Sequence, residues 1–275
     1  MILSIIIPTK NEERNIGFCI EAVKWALNEH RIEIIVVDNH SNDRTSEIAK
    51  SNAVKVITQG PERSAQRNRG AQESEGTYLF FVDADMRVPR DTLNEVLSLI
   101  ELGNAPDALY VREIIAGAGY WNSIRNFERS FYDATCIDGL RVIKRRLFAE
   151  AGGFDNEMYA AEDWDLDRRI KELSSKITIT RGALIHDEGE FSLWRNLSRK
   201  RYYSGNIRYY MEKWNYDETV RRQCGLVYRF WTVFMEHGKW KRVVKRPDLM
   251  FCVWLYRILV GFIFLFARSS SAKQK

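Results

Sequence analysis

Asp83 and Asp85 stand one residue apart at the end of an apolar run, Tyr78-Leu79-Phe80-Phe81-Val82. The run reads as a buried central strand. In open α/β sheets ligands gather at the carboxyl ends of strands, so both carboxylates fall where a ligand would be. Two acids at such an edge repel unless a cation joins them, and Mg²⁺ is commonly held by one or two carboxylates together with substrate phosphates. The spacing therefore points to Asp-x-Asp gripping a metal that grips a diphosphate. The plainer alternative is a polar strand end entering a turn.

The elements that must position this pair alternate. Ile2 to Ile7 reads as a buried strand broken by Pro8-Thr9-Lys10-Asn11, and Glu12 to Glu29 as a helix. Glu33 to Val37 is a second strand ending at Asp38-Asn39, with Ser41-Asn42-Asp43 capping a helix through Lys50. Ala53 to Ile57 is a third strand, Arg63 to Glu75 a helix, Thr77 to Val82 a fourth strand, and Asp91 caps a helix to Leu102. Such alternation predicts an α/β fold with a doubly wound, mostly parallel, Rossmann-like sheet. Thr9, Asn11 and Glu12, then Asp38 and Asn39, then Asp83 and Asp85 would meet on one sheet edge. Neither the G-x-G-x-x-G fingerprint nor a Walker A loop is present, so a nucleotide would be held by strand-end side chains and metal.

The chain has 275 residues, 45% hydrophobic and 29% charged, with a net charge of +5 and a pI near 8.9. That length suits one large domain, or one domain plus an appendage. Lys and Arg crowd the last third, which suggests an anionic partner, phosphate or a membrane surface. No nucleic-acid-binding pattern is visible. Cys19, Cys136, Cys224 and Cys252 are scattered without metal-ligand spacing, as in a reducing compartment. Leu3 to Ile7 is too short, and lacks the basic flank, for a signal peptide.

Five stretches in this order resemble the family 2 glycosyltransferases of the GT-A fold: S-I-I-I-P-T-K-N-E-E-R-N-I (4 to 16), E-I-I-V-V-D-N-H-S-N-D-R-T (33 to 45), S-A-Q-R-N-R-G-A (64 to 71), Y-L-F-F-V-D-A-D (78 to 85) and G-G-F-D-N-E-M-Y-A-A-E-D-W-D-L-D-R-R-I (152 to 170). The resemblance implies a nucleotide-sugar donor with UDP or GDP, transfer with inversion, and a divalent cation, Mn²⁺ or Mg²⁺. On the matched positions it places Pro8, Thr9, Asn11, Glu12, Asp38, Asn39, Arg67, Asp83, Ala84 and Asp85 on the donor side. Asp85 would also bind the metal, with His186 as a further ligand. Asp163, second in the acidic pair Glu162-Asp163, would be the general base, its pKa lifted by Glu162, Asp165 and Asp167. For Arg67 a solvated helix face is the alternative. For Asp163 the alternative is an acid favoured by a helix dipole, and that is the preferred reading of Asp165 and Asp167. For His186 it is a structural histidine.

Beyond a GT-A catalytic domain at 1 to 190, residues 191 to 275 read as a basic, aromatic helical extension that associates with a membrane. Arg201 and Tyr202 are its candidates for closing over the acceptor or diphosphate, alongside Glu162. Tyr120 to Tyr132 is read either as a core helix or as an acceptor-side helix touching lipid. Leu249 to Phe266 is the most hydrophobic stretch, short for a span, with Arg257 in its middle at a cost of roughly 2.5–3.5 kcal/mol. It is read as an in-plane or re-entrant membrane helix, as a helix packed in the protein or an oligomer interface, or as a true span. The expectation is an enzyme on the cytoplasmic membrane face with a lipid-linked glycan or glycolipid acceptor, and a homo-oligomer remains open. Alternatives are a polyprenyl-phosphate glycosyltransferase resembling dolichyl-phosphate mannose synthase, a sugar nucleotidyltransferase, which would need a glycine-rich loop where P-T-K-N-E-E stands, and a non-catalytic membrane module.

Overall fold

The computed structural model describes residues 1–29, 32–52, 54–189 and 192–271. The chain forms two compact units, one of Met1–Ile114 with Gly139–Asp187, the other of Ile115–Asp138 with Glu188–Lys275. Segment 115–138 thus belongs with the C-terminal part, not with the sheet domain expected at 1 to 190.

In the first unit the elements run β1 (Leu3–Thr9), α1 (Ile16–Lys24), α2 (Ala26–Glu29), β2 (Ile32–Asp38), α3 (Thr45–Ser51), β3 (Lys55–Thr58), α4 (Arg63–Gln72), β4 (Tyr78–Phe81), β5 (Met86–Arg87), α5 (Arg90–Ile100) and β6 (Ala108–Ile115). After α6 (Tyr120–Arg129) of the second unit come β7 (Val142–Lys144), α7 (Arg145–Glu150), α8 (Glu162–Leu173) and β8 (Ile177–His186). The strands form one sheet in the order β3-β2-β1-β4-β7-β6-β8-β5.

The sheet is mixed, not mostly parallel. β1 pairs in parallel with β2 and β4, and β2 with β3, as β–α–β crossovers require. That alternation stops after α5. β7 then pairs antiparallel with both β4 and β6, and β5 with β8. Alternate residues of the central strands enter two separate cores, Leu3, Ile5, Ile7, Tyr78 and Phe80 on one face and Ile6, Leu79 and Phe81 on the other. Burial on both faces is why these strands read as continuous apolar runs.

Several boundaries shift for local reasons. The expected helix from Glu12 begins at Ile16, because Glu12 C=O accepts from both Asn15 and Ile16 N–H at 2.9 Å in a preceding turn. Asp91 lies inside the first turn of α5, and Pro89 holds the capping position. Ala53, expected to open the third strand, lies outside the described residues, as does the tail from 272; Ser269 to Ser271 continue the last helix.

The second unit holds α6, α9 (Leu193–Ser204), α10 (Ile207–Lys213), α11 (Glu218–Cys224), a π-helical turn (Tyr228–Thr232), α12 (Val233–Met235), a 3-10 turn (Glu236–Gly238), α13 (Trp240–Lys245) and α14 (Pro247–Ser271). Among the described residues no helix is long and apolar enough to cross a membrane. Arg257, which made Leu249 to Phe266 an awkward span, is buried within the unit. Its Nε donates to Glu128 Oε1 at 2.9 Å, and its guanidinium lies over the Phe234 ring. Burial opposes the Glu128 carboxylate, but Arg125 and Arg257 win and bring its pKa down to about 2.

Candidate active site

The parallel strands β1, β2 and β4 end on the same sheet edge, so the expected convergence of polar residues is present. Two groups form there. In the first, Asn39 N–H donates to Thr9 C=O at 2.9 Å, and Asp38 accepts from Ser41 Oγ and Ser41 N–H at 2.5 and 3.1 Å. Asn11, at a left-handed φ of 54°, receives Asn42 N–H on its side-chain oxygen, and Glu12 N–H donates to Thr45 Oγ1 at 2.7 Å. Buried Gln66 clamps the strand ends by donating to Thr9 and Val37 C=O at 2.9 and 2.6 Å. Pro8, Thr9, Asp38, Asn39 and Ala84 are buried, and Thr9 Oγ1 has no hydrogen-bond partner.

The second group is a chain of ion pairs centred on Arg67. This side chain is 1% exposed, so it is not on a solvated helix face. Its Nη2 donates to Asp83 Oδ1 at 2.8 Å and its Nη1 to Asp163 Oδ1 at 2.9 Å, with Glu162 Oε1 at 3.5 Å and the Phe154 ring beneath. Arg63 pairs with Glu162 at 3.2 Å. Asp83 also accepts from Arg141 Nη1 at 3.1 Å, and Arg141 Nη2 reaches Glu113 at 3.4 Å. Glu113 holds His186 Nδ1 at 2.6 Å, and His186 Nε2 faces Asp85 Oδ2 at 3.2 Å.

Asp83 and Asp85, one residue apart, have separate partners in this structure. Asp83 is neutralised by two guanidiniums, while the β5–β8 register, which sets Met86 opposite His186, delivers Asp85 to the histidine. Burial opposes the Asp83 carboxylate, but Arg67, Arg141 and Arg63 hold its pKa well below the usual carboxylate range. For Glu162 the balance goes the other way: burial first, then Asp163, raise its pKa against Arg63 and Arg67. Asp165 and Asp167 do not turn toward Asp163. Arg169 takes Asp165 at 2.5 Å, and Lys171 and the Tyr110 hydroxyl take Asp167.

Asp163 is the second residue of α8, whose capping residue Ala161 is left-handed at φ 61°, and its side chain is 37% exposed. A Cβ on Gly139 would lie 2.9 Å from Asp163 Cβ, so the absent side chain there makes room for it. Arg201 and Tyr202 lie exposed on α9 of the second unit.

Arg141, Glu113 and Gly139 were not singled out from the sequence. Arg141 and Glu113 sit in G-L-R-V-I-K and V-R-E-I-I, strand-like contexts where a charge reads as an ordinary outward residue. Only the antiparallel half of the sheet brings them to the edge.

The imidazole of His186 is thus held between two carboxylates, Glu113 at Nδ1 and Asp85 at Nε2. An imidazole nitrogen and a carboxylate oxygen at 3.2 Å, with the imidazole steered by an outer carboxylate, are residue types that fit a metal-ligand pair and its supporting shell. Among the described residues no group of three protein ligands is present. A divalent ion there would complete its shell with diphosphate oxygens and water.

Residues 4–152 match the family described as Glycosyl transferase family 2, and the chain belongs to that family. It is 32% identical over 190 residues to the low-salt glycan biosynthesis hexosyltransferase Agl6 of Haloferax volcanii, covering 63% of this chain and 46% of that protein. It is 34% identical over 110 residues to a dolichol-phosphate mannosyltransferase of Pyrococcus furiosus, covering 38% and 31%. The chain thus spans less than half the length of these relatives. Among solved structures it resembles the mannosyltransferase PcManGT of Pyrobaculum calidifontis in complex with GDP-Man and Mn²⁺, with a TM-score of 0.63, 17% identity and coverage of 99% and 87%. Staphylococcus aureus TarS 1-349 in complex with UDP gives a TM-score of 0.59 at 18% identity, covering 100% and 92%. At such identities the likeness concerns the fold.

Proposed function

We propose that the chain transfers a sugar, with inversion and with a divalent cation, from a UDP- or GDP-sugar to a hydroxyl of a lipid-linked glycan or glycolipid. The observation that carries this reading is the continuous run of polar side-chain contacts from Asp163 through Arg67, Asp83, Arg141 and Glu113 to His186 and Asp85. It ties a carboxylate suited to take a proton to a donor pair suited to hold a metal.

Asp38 and Glu12, acceptors only, suit the N–H of uracil or guanine and the ribose hydroxyls. Asp85 and His186 would hold the cation, which when bound supplies charge that makes the nucleoside diphosphate a better leaving group. Asp163 takes the proton of the acceptor hydroxyl as that oxygen bonds to the sugar's anomeric carbon. The bond from that carbon to the diphosphate oxygen breaks, and its electron pair leaves with the diphosphate. Arg67 fixes one oxygen of Asp163, and the partial exposure of the side chain admits the acceptor.

Thermal unfolding with UDP, GDP, CMP and TDP, each with and without Mn²⁺, tests the donor site. A ligand of the folded state at a hundredfold excess over its Kd adds about 2.7 kcal/mol. One diphosphate should raise the Tm only with Mn²⁺, and Asp85→Ala should remove the shift. A shift of equal size without metal would remove Asp85 and His186 from the donor site. Gly139→Ala, which crowds Asp163, should lower kcat about 100-fold and leave the nucleotide shift in place. A kcat unchanged by that methyl group would mean that Asp163 needs no such confinement.

A phosphate acceptor is the second reading, favoured by the match to the dolichol-phosphate mannosyltransferase. A phosphate is already ionised and needs no base, and this separates the two.

A further inference from the structure

The second unit carries 20 Lys and Arg against 10 Asp and Glu, a net of +10 in a chain whose whole net is +5. The first unit is therefore net acidic, and the basic character of the protein resides in one part. On α14 of that basic unit two faces have different neighbours. Leu249, Met250, Val253, Tyr256 and Arg257 point into the unit and are buried. Phe251, Leu255, Ile258, Leu259 and Phe262 recur at i, i+4, i+7, i+8 and i+11, the spacing of one helical stripe, and each is 45–61% exposed.

Two contacts show what borders the stripe. The exposed Tyr120 meets Cys252 through its hydroxyl at 3.7 Å. Arg246 pairs with Asp248 at 2.7 Å and cancels the acid at the stripe's beginning. On the preceding α13, Trp240 and Val244 are exposed, and so are Lys241 and Lys245. The unit therefore exposes a contiguous apolar row with aromatic and basic flanks.

A contiguous apolar face on a soluble surface marks a docking site. Its charge selects the occupant. A second copy of a +10 unit would be repelled, whereas an anionic lipid surface attracts Lys and Arg and accepts Phe, Leu and Tyr at the headgroup boundary. The helix does not enter the bilayer as a span. Its opposite face is committed to protein through the Arg257–Glu128 pair, and among the described residues no helix is long and apolar enough to cross a membrane.

We propose that the exposed face of α14 lies in the plane of an anionic membrane surface, with the basic residues of α13 at the headgroups. This proposal is independent of the sugar-transfer reading, since it concerns only the second unit.

Co-sedimentation of the full chain tests it, using vesicles of phosphatidylcholine mixed with phosphatidylglycerol and vesicles of phosphatidylcholine alone. The wild type should pellet with the mixed vesicles at low salt and progressively less as salt is added. Leu255→Glu combined with Leu259→Glu should weaken binding on the order of tenfold or more. Lys241→Gln and Lys245→Gln should each weaken it about fivefold, on anionic vesicles only. Both sets change exposed residues, and circular dichroism with the Tm of the ligand-free chain checks that each variant is folded. The lysine variants test the proposal even if the glutamate pair fails to fold. A wild type that stays in solution with anionic vesicles at low salt overturns it. So does a glutamate variant that is folded and binds as wild type. If light scattering instead shows a stable dimer that the glutamate pair dissociates, the stripe is covered by a second copy and the lipid proposal fails.

Discussion

In Asp163→Asn, transfer to a hydroxyl acceptor should fall by about a thousandfold in kcat, within the range that a positioned general base supplies. The substitution is isosteric. An asparagine oxygen can still accept from Arg67 Nη1, and the first turn of α8 is not asked to move. What disappears is the capacity to take a proton. Donor binding should be untouched, so the Mn²⁺-dependent Tm shift of the variant should equal that of the wild type. If transfer to a hydroxyl persists near the wild-type rate, Asp163 is not the base. Glu162 is a poor substitute, because it is buried and faces Arg63 and Arg67. Transfer to an isoprenyl phosphate should survive the same change within about tenfold, since removing a base costs nothing where no proton is taken. The ratio of the two activities in one variant therefore decides between the proposed acceptors.

How much of this site was legible in the sequence depended on the range of the interactions. Leu3 to Ile7, Glu33 to Val37 and Tyr78 to Val82 are runs whose meaning is local, and β1, β2 and β4 lie close to where they were read. Parallel strands share a direction, so the meeting of Thr9, Asp38 and Asp83 at one edge followed from the alternation alone. The partners of those residues did not follow. Only the family resemblance set Arg67 apart from Arg63 and Arg69, and a solvated helix face stayed open for it. Packing buries only Arg67, while Arg63 and Arg69 remain partly exposed and pair with Glu162 and Glu73. Asp83 meets Arg141 across 58 positions and His186 meets Glu113 across 73, through antiparallel pairings that no crossover rule supplies. β5 is two residues long, too short for any periodicity, yet it aligns Asp85 with His186. Arg257 looked like a flaw in an apolar segment because Glu128, its partner, is 129 positions away.

Replacing Arg67 with Met should destabilise the protein by about 3–5 kcal/mol, the cost of removing one member of a buried ionic network. In a chain of this size that is a fall in Tm of roughly 10 °C. Met keeps much of the volume over Phe154, so the loss would arise from charge: Asp83 and Glu162 stay in their places without the guanidinium shared between them. The pH dependence separates charge from packing. In the wild type the depressed pKa of Asp83 contributes stability that is present above the unfolded value, about 3.9, and is lost as pH falls through the folded value. The raised pKa of Glu162 acts in the opposite direction, a liability above its unfolded value that disappears as the group takes up a proton. Without Arg67 both folded-state values move up, so acidification relieves the variant before it relieves the wild type. The gap in Tm should be widest near pH 8 and narrow steadily toward pH 4. Arg67→Lys should recover part of the stability near neutrality but little of the activity, because a single ammonium cannot hold Asp83 and Asp163 at once in the fork that a guanidinium provides. A gap between wild type and Arg67→Met that stays constant over this range would assign the role of Arg67 to shape, and would break the link between Asp163 and Asp83 on which the proposed chemistry rests.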